Sequence, residues 1–159
     1  MATVTSSLLG VNLNAYDTTA QFAVGTVVNG TGGSLFQYVN TLSAISTYNA
    51  VGIDVNGNAS NLTTTNAAEV KMVGVAQISI AVSCYGWVQR MGVLTVNVAA
   101  QCQDFVPLFT TATPGVLDDI TVSEALVLGM NIYTSSSNAT AATGIAASPL
   151  QIFPFANPA

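Results

Sequence analysis

The stretch "VKMVGVAQISIAV", Val70 to Val82, decides how the chain is read. Its even-numbered positions are Val70, Met72, Gly74, Ala76, Ile78, Ile80 and Val82, all apolar or small. Its odd-numbered positions mix Lys71, Gln77 and Ser79 with Val73 and Val75. Successive strand side chains point to opposite faces, so a period of two over this length predicts a strand buried on one face.

The same period recurs downstream. In "GVLTVNV" (Gly92–Val98), Leu94, Val96 and Val98 alternate with Thr95 and Asn97. In Ala125–Tyr133, Leu126, Leu128, Met130 and Ile132 are expected to share a face. Between the first two runs lies "YGWVQRMG", Tyr85 to Gly92. It reads as a hairpin reversing at Arg90-Met91-Gly92, with Val88 inward alongside Leu94, Val96 and Val98. Tyr85 and Trp87 then fall on the outer side, Trp87 near Thr95, under a neighbouring subunit or an overlying segment. Arg90 is expected at the rim.

Upstream, "FAVGTVV" (Phe22–Val28) and "SLFQYV" (Ser34–Val39) flank a Gly-rich connection, "NGTGG". "VGIDV" (Val51–Val55) runs into Asn56-Gly57, the dipeptide favoured in a tight type I′ hairpin turn. Pro114-Gly115 fits the central pair of a type II turn. "SSSNATAATG" (Ser135–Gly144) reads as a polar surface loop, and the Pro-containing tail beyond it as an edge strand at most. No segment sustains a helical period, although "NAAEVKM" (Asn66–Met72) has room for one turn. The expected fold is all-β: a single-domain small barrel or sandwich over 21–159, preceded by an extended N-terminal arm over 1–20. The arm carries Leu8, Leu9, Val11 and Leu13, and it is expected to dock.

Composition narrows the function. Half of the 159 residues are apolar and 6% are charged. Soluble monomers usually display far more charge than that, so part of this surface is expected to be covered by partners. Lys71 and Arg90 are the only basic residues, too few to neutralise a run of phosphates, which argues against nucleic-acid binding. No apolar run is long enough for a membrane-spanning helix. Without histidine, and with carboxylates scattered except for Asp118-Asp119, neither a catalytic set nor a metal set is expected, and no cofactor. A calcium site at Asp118-Asp119 would need a denser set of oxygens. Cys84 and Cys102 read as small core residues.

Two segments carry a resemblance. "VGVAQISIAVSCYGWVQRMGVLTVNVAAQC" (Val73–Cys102) and "DFVPLFTTATPGVLDD" (Asp104–Asp119) resemble small all-β virion proteins of tailed bacteriophages, the capsid decoration or cement proteins. "GSLFQYV" (Gly33–Val39) and "YNAVGIDVNGNA" (Tyr48–Ala59) are similar in style. The resemblance implies a compact β-barrel or β-tulip, often a homotrimer, set on the outer capsid surface against the major capsid protein. It also implies an N-terminal arm that reaches onto the lattice. On that reading the interface residues are Leu8, Leu9, Val11 and Leu13 of the arm, Tyr85, Trp87 and Arg90, and Phe153 and Phe155 of the tail. The alternative is a tail- or fibre-associated, lectin-like carbohydrate-binding module, which should expose several aromatics on one face.

Overall fold

The structure is a computed structural model describing residues 10–120, 125–136, 138 and 140–153, with the backbone alone for 147–153. With 45% strand and 2% helix it is nearly all-β. The strands are β1 (Val27–Asn29), β2 (Leu35–Thr41), β3 (Ala50–Ile53), β4 (Asn58–Asn61), β5 (Met72–Ala76), β6 (Tyr85–Val98), β7 (Leu108–Thr110), β8 (Leu117–Asp118), β9 (Leu126–Ile132) and β10 (Thr140–Phe153).

Five strands close into a barrel in the order β2-β4-β3-β5-β6 and back to β2. All its pairings are antiparallel except β2–β4. A second circuit of pairings, β6-β10-β9-β7-β8, returns to β6 through the single pair Val98↔Leu117. β6 belongs to both. Its first half pairs with β2 and β5, and its second half, Gly92 to Val98, pairs with β10.

Barrel closure explains the packing of Val70–Val82. Alternate residues of β3 and β5 face two different cores. Val51, Ile53 and Ala76 line the barrel interior with Val39, Val88 and Ile80. Ala50, Val73 and Val75 point out of the barrel into a second core with Leu94, Val96, Val98 and Ile132. The expectation of one buried face is corrected: both faces of β5 are buried. The strand is also shorter than expected, because the chain bends after Ala76, and Val82 is exposed. The barrel interior is narrow. A Cβ at Gly74 would lie 2.9 Å from Val88 Cγ2, and one at Gly86 would lie 2.8 Å from Ile80 Cδ1, so neither position accepts a side chain without displacing its neighbour.

Gln77 takes over where β5 stops. Its amide nitrogen donates to Thr95 O at 3.0 Å, and its amide oxygen accepts from Thr95 N at 3.2 Å. A side-chain amide thus replaces a strand residue against β6, and the half-buried backbone of Thr95 is satisfied.

The expected hairpin at Arg90-Met91-Gly92 does not form; β6 runs straight through it. Between Leu35↔Met91 and Phe36↔Gln89 the register slips, and Arg90 is the extra residue of a β-bulge. Gly92 follows with φ +98°, and a Cβ there would lie 2.8 Å from Ser34 Cα. Because the strand does not reverse, Trp87 pairs with Tyr38 rather than lying near Thr95, which pairs with Thr143. Val88 enters the barrel core, while Leu94, Val96 and Val98 enter the second.

A second bulge corrects β9. Gly129, at φ +90°, lies where the β9–β10 register shifts. Val127, Met130 and Ile132 are buried while Leu128 is exposed, so the four even positions do not share a face. The polar run before Gly144 is not wholly a loop either. From Thr140 it forms β10, which pairs with β6 over Thr140–Ala146 and with β9 over Gly144–Ala146 and again over Gln151–Phe153, where β9 is its one neighbour among the described residues, as an edge strand requires. Pro149 falls in the unpaired interval between Ala146 and Gln151, where its missing N–H costs no ladder bond.

The remaining turns follow expectation in part. Gly115 takes φ +75° and Val116 N donates to Thr113 O, as a Pro-Gly type II turn requires. Gly57 sits at φ +79°, but Asp54 pairs with Asn58, so the β3–β4 loop has one residue more than a type I′ turn. Of Phe22–Val28 only the last two residues join a strand.

Replacing Gly92 with Ala places a Cβ against Ser34 in a backbone region that L-residues avoid. The expected cost is about 2–3 kcal/mol in urea denaturation. An unchanged midpoint would show that the bulge does not depend on glycine.

Candidate functional site

The described part of the N-terminal segment crosses the outside of the barrel as a strap. Asp17 and Tyr85 exchange both backbone hydrogen bonds, at 2.7 and 2.8 Å. Leu13 is buried with Val28, Phe36, Tyr38 and Trp87, and Val11 and Tyr85 pack at the margin. Phe22 meets Tyr38 and Trp87 edge-on, both at 5.3 Å between ring centroids. The Tyr38 hydroxyl donates to Asp17 Oδ2 at 2.9 Å. Burial, reinforced by the nearby Asp17 carboxylate, raises the pKa of that hydroxyl.

The expected interface residues therefore separate. Val11, Leu13, Tyr85 and Trp87 come together, but as an intrachain cluster: an overlying segment covers Trp87, and that segment is the chain's own. Trp87 is 2% exposed and lies in no outer surface. Leu8, Leu9 and Phe155 fall outside the described residues. Phe153 is described by its backbone, which pairs with Leu126.

Arg90 is elsewhere and is not at a solvated rim; it is 8% exposed. The bulge turns it toward the open end of the barrel, where Nη1 donates to Gln37 Oε1 at 3.0 Å. Burial lowers its pKa. A cleft of about 300 Å³ opens there, lined by Arg90, Gln37, Met72, Val24, Val27 and Val55 among others. Gln37 is separated from Arg90 by 53 positions, so nothing local in the sequence joins them.

A third grouping joins two elements that the sequence reading kept apart. Cys102, Asp118 and Asp119 place their ligand atoms within 4.8 Å of one another. Asp119 Oδ2 accepts from Gln103 N, and Asp118 Oδ1 accepts from Asp119 N. Burial, then the two carboxylates, pushes the Cys102 thiol up to about 11. Burial and its contact with Asp119 raise Asp118. Both thiols are free and buried, as expected of core cysteines.

Sequence reasoning missed an apolar surface on the second circuit. Phe105 is 69% exposed at φ +58°, its ring 6.2 Å from that of Tyr133. Leu128, exposed by the Gly129 bulge, borders a cleft of about 290 Å³ with Pro107 and Ile145. Val93, also exposed, pairs with Ile145. No local pattern announces this face, since a bulge and a strained loop residue create it.

No model of a known protein family matches the chain, and no curated protein matches it.

Two outcomes are expected. Leu13→Asp should unseat the strap, shifting the emission of Trp87 to longer wavelength and raising acrylamide quenching while the far-UV spectrum stays β; unchanged emission would place the strap's hold elsewhere. Asp118→Asn should raise the melting temperature at pH 7. The folded pKa of Asp118 lies above its unfolded value, so the ionised group destabilises the fold at neutral pH and the penalty fades as pH falls through the folded pKa. The gain should therefore shrink toward pH 3, and a gain that persists unchanged there would contradict the charge argument.

Proposed function

We propose that the chain is a structural virion protein, a capsid decoration or cement protein of a tailed bacteriophage. In this reading it sits as a homotrimer on the outer surface of the head and bridges copies of the major capsid protein. The observation that carries it is the exposed apolar surface of the second circuit, with Phe105, Leu128, Tyr133 and Val93. On a chain with 6% charged residues, such a surface favours burial against a partner. The resemblance of Val73–Cys102 and Asp104–Asp119 to cement proteins supplies the class of partner. The all-β fold suits the same role.

Bridging by many identical copies needs no tight single contact. Weak contacts engaged together on a shell gain avidity, and that resists outward pressure. A carbohydrate-binding module would be expected to present an aromatic platform. Here Trp87, Tyr38 and Phe36 lie beneath the strap, and the exposed pair Phe105 and Tyr133 stands beside aliphatic Leu128 and Val93 in a mixed apolar surface, which favours the cement reading.

The test uses heads of the encoding phage prepared without this protein. Added protein should bind them saturably and raise the temperature at which they release DNA. Phe105→Asp with Leu128→Asp should cut occupancy at least tenfold without lowering the melting temperature, since both side chains are exposed. Binding to purified glycans or tails instead of heads would overturn the proposal.

A further inference from the structure

We propose that the exposed aromatic face built by Phe105 and Tyr133 docks an arginine-bearing segment of the partner protein, with the Asp119 carboxylate as its counter-charge. This rests on the reading of the second circuit as a protein-docking surface and names the chemistry that surface takes.

One loop assembles the face. Across 101–106 the chain holds two neighbours at once. Gln103 N donates to Asp119 Oδ2 at 3.2 Å, and Phe105 N donates to Ile132 O at 3.0 Å, next to Tyr133. The loop therefore brings Tyr133, Phe105, Asp119 and Ile120 to one surface. Phe105 is 69% exposed, Ile120 57% and Tyr133 38%. Phe105 holds φ +58°, a region that bulky residues occupy at a cost. A strained backbone that presents a phenyl ring to water stabilises nothing within the fold, which points to a contact outside it. The rings of Phe105 and Tyr133 lie 6.2 Å apart and tilted by 49°, so they do not stack on each other.

Charge selects the occupant. Of the seven acidic residues, Asp104, Asp118 and Asp119 lie in this loop or at the end of β8 to which it is bonded. Burial, then the contact with Asp119, raises Asp118, as a crowded carboxylate pair requires. The chain's own cations belong to the barrel: Arg90 donates to Gln37, and Lys71 has its backbone on Ile53. A second copy would offer only Lys71, two positions from the exposed Glu69, because Arg90 is buried. The complementary cation is therefore assigned to a different protein. Arginine fits both halves of the face, since a planar guanidinium lies on an aromatic ring and forks to a carboxylate, which an ammonium does less well. Calcium takes about six to eight oxygens, more than Cys102, Asp118 and Asp119 supply.

The experiment titrates the ¹⁵N-labelled full chain with the peptide acetyl-Leu-Arg-Leu-amide and with versions carrying citrulline, lysine or glutamate at the centre. The arginine peptide should shift the backbone amides of Gln103, Phe105, Asp119 and Tyr133 saturably, with a Kd on the order of 1 mM. The citrulline and glutamate peptides should bind at least tenfold more weakly and the lysine peptide at least threefold, and added salt should weaken the arginine peptide. Asp119→Asn keeps an oxygen for Gln103 N, so it should reduce affinity at least fivefold without lowering the melting temperature. Tyr133→Ala should weaken the peptide similarly. The proposal is overturned by no saturable shift, by equal binding of the citrulline peptide, or by full binding to Asp119→Asn. Calcium chloride that shifts the same amides and excludes the peptide would also overturn it, as would the same shifts on concentrating the protein alone. Phage heads separate this inference from the cement reading. Heads that bind wild type and Asp119→Asn alike would keep the cement reading and sink the arginine contact. Peptide binding without head binding would do the reverse.

Discussion

The fold rests on the hydrogen-bonding of one strand. β6 spans Tyr85–Val98 and must satisfy its backbone on both edges along its length, against β2, β5, β10, β8 and the Gln77 amide. Two closed circuits can share a strand only if that strand changes partners partway, and the change occurs at the Arg90 bulge and Gly92. The exit of Arg90 toward the barrel mouth and the division of Val88 from Leu94 into separate cores both follow from that switch.

Charge poverty has a structural counterpart inside the molecule. Among the described residues, the junction of the two cores is bridged by side-chain amides. Asn49 Nδ2 donates to Asn61 Oδ1 and Asn97 Nδ2 donates to Asn49 Oδ1, both at 2.8 Å, across the seam between the barrel and the second circuit. Gln77 and Gln89 donate to backbone carbonyls of β6 itself. Neutral amides carry both donor and acceptor, so they can satisfy a strand edge with no desolvated charge. Salt should therefore have little leverage on the junction between the two cores.

The strand content was legible in the sequence because apolar alternation is a local signal, and the turns at Pro114-Gly115 and the β3–β4 loop were legible because their glycines are forced. What failed has a common cause. A glycine at positive φ serves a hairpin turn and a β-bulge equally well, so Gly92 and Gly129 could not declare which they were. Alternation also presumes one wet face, yet Val73 and Ala76 are both buried, on opposite faces of one strand. The first half of β10 escaped notice because its Ala, Thr and Gly residues look like a loop, although close approach demands small residues there: a Cβ at Gly144 would lie 2.6 Å from Asn131 O. Of the candidate site, the residue types at Trp87 and Arg90 were legible. Their surroundings were not, because the strap over Trp87 and the Gln37 beside Arg90 come from distant parts of the chain.

The sharing of β6 also imposes an order in time. During synthesis the chain emerges from its N-terminal end, and the barrel has all five of its strands once Val98 has appeared. The second circuit still lacks β7 through β10 at that point, and β10 is the last of them. Until β7 to β10 arrive, the outward-facing Ala50, Val73 and Val75 and the inner residues Leu94, Val96 and Val98 lack the cover of Leu108, Leu117, Val127, Met130 and Ile132, and until β10 itself arrives the later half of β6 is an open edge. A ribosome-bound chain stalled between Val98 and Thr140 would thus present a finished barrel with a sticky flank. The nascent chain, more than the mature molecule, is the species in which this architecture is exposed to chaperones and to aggregation.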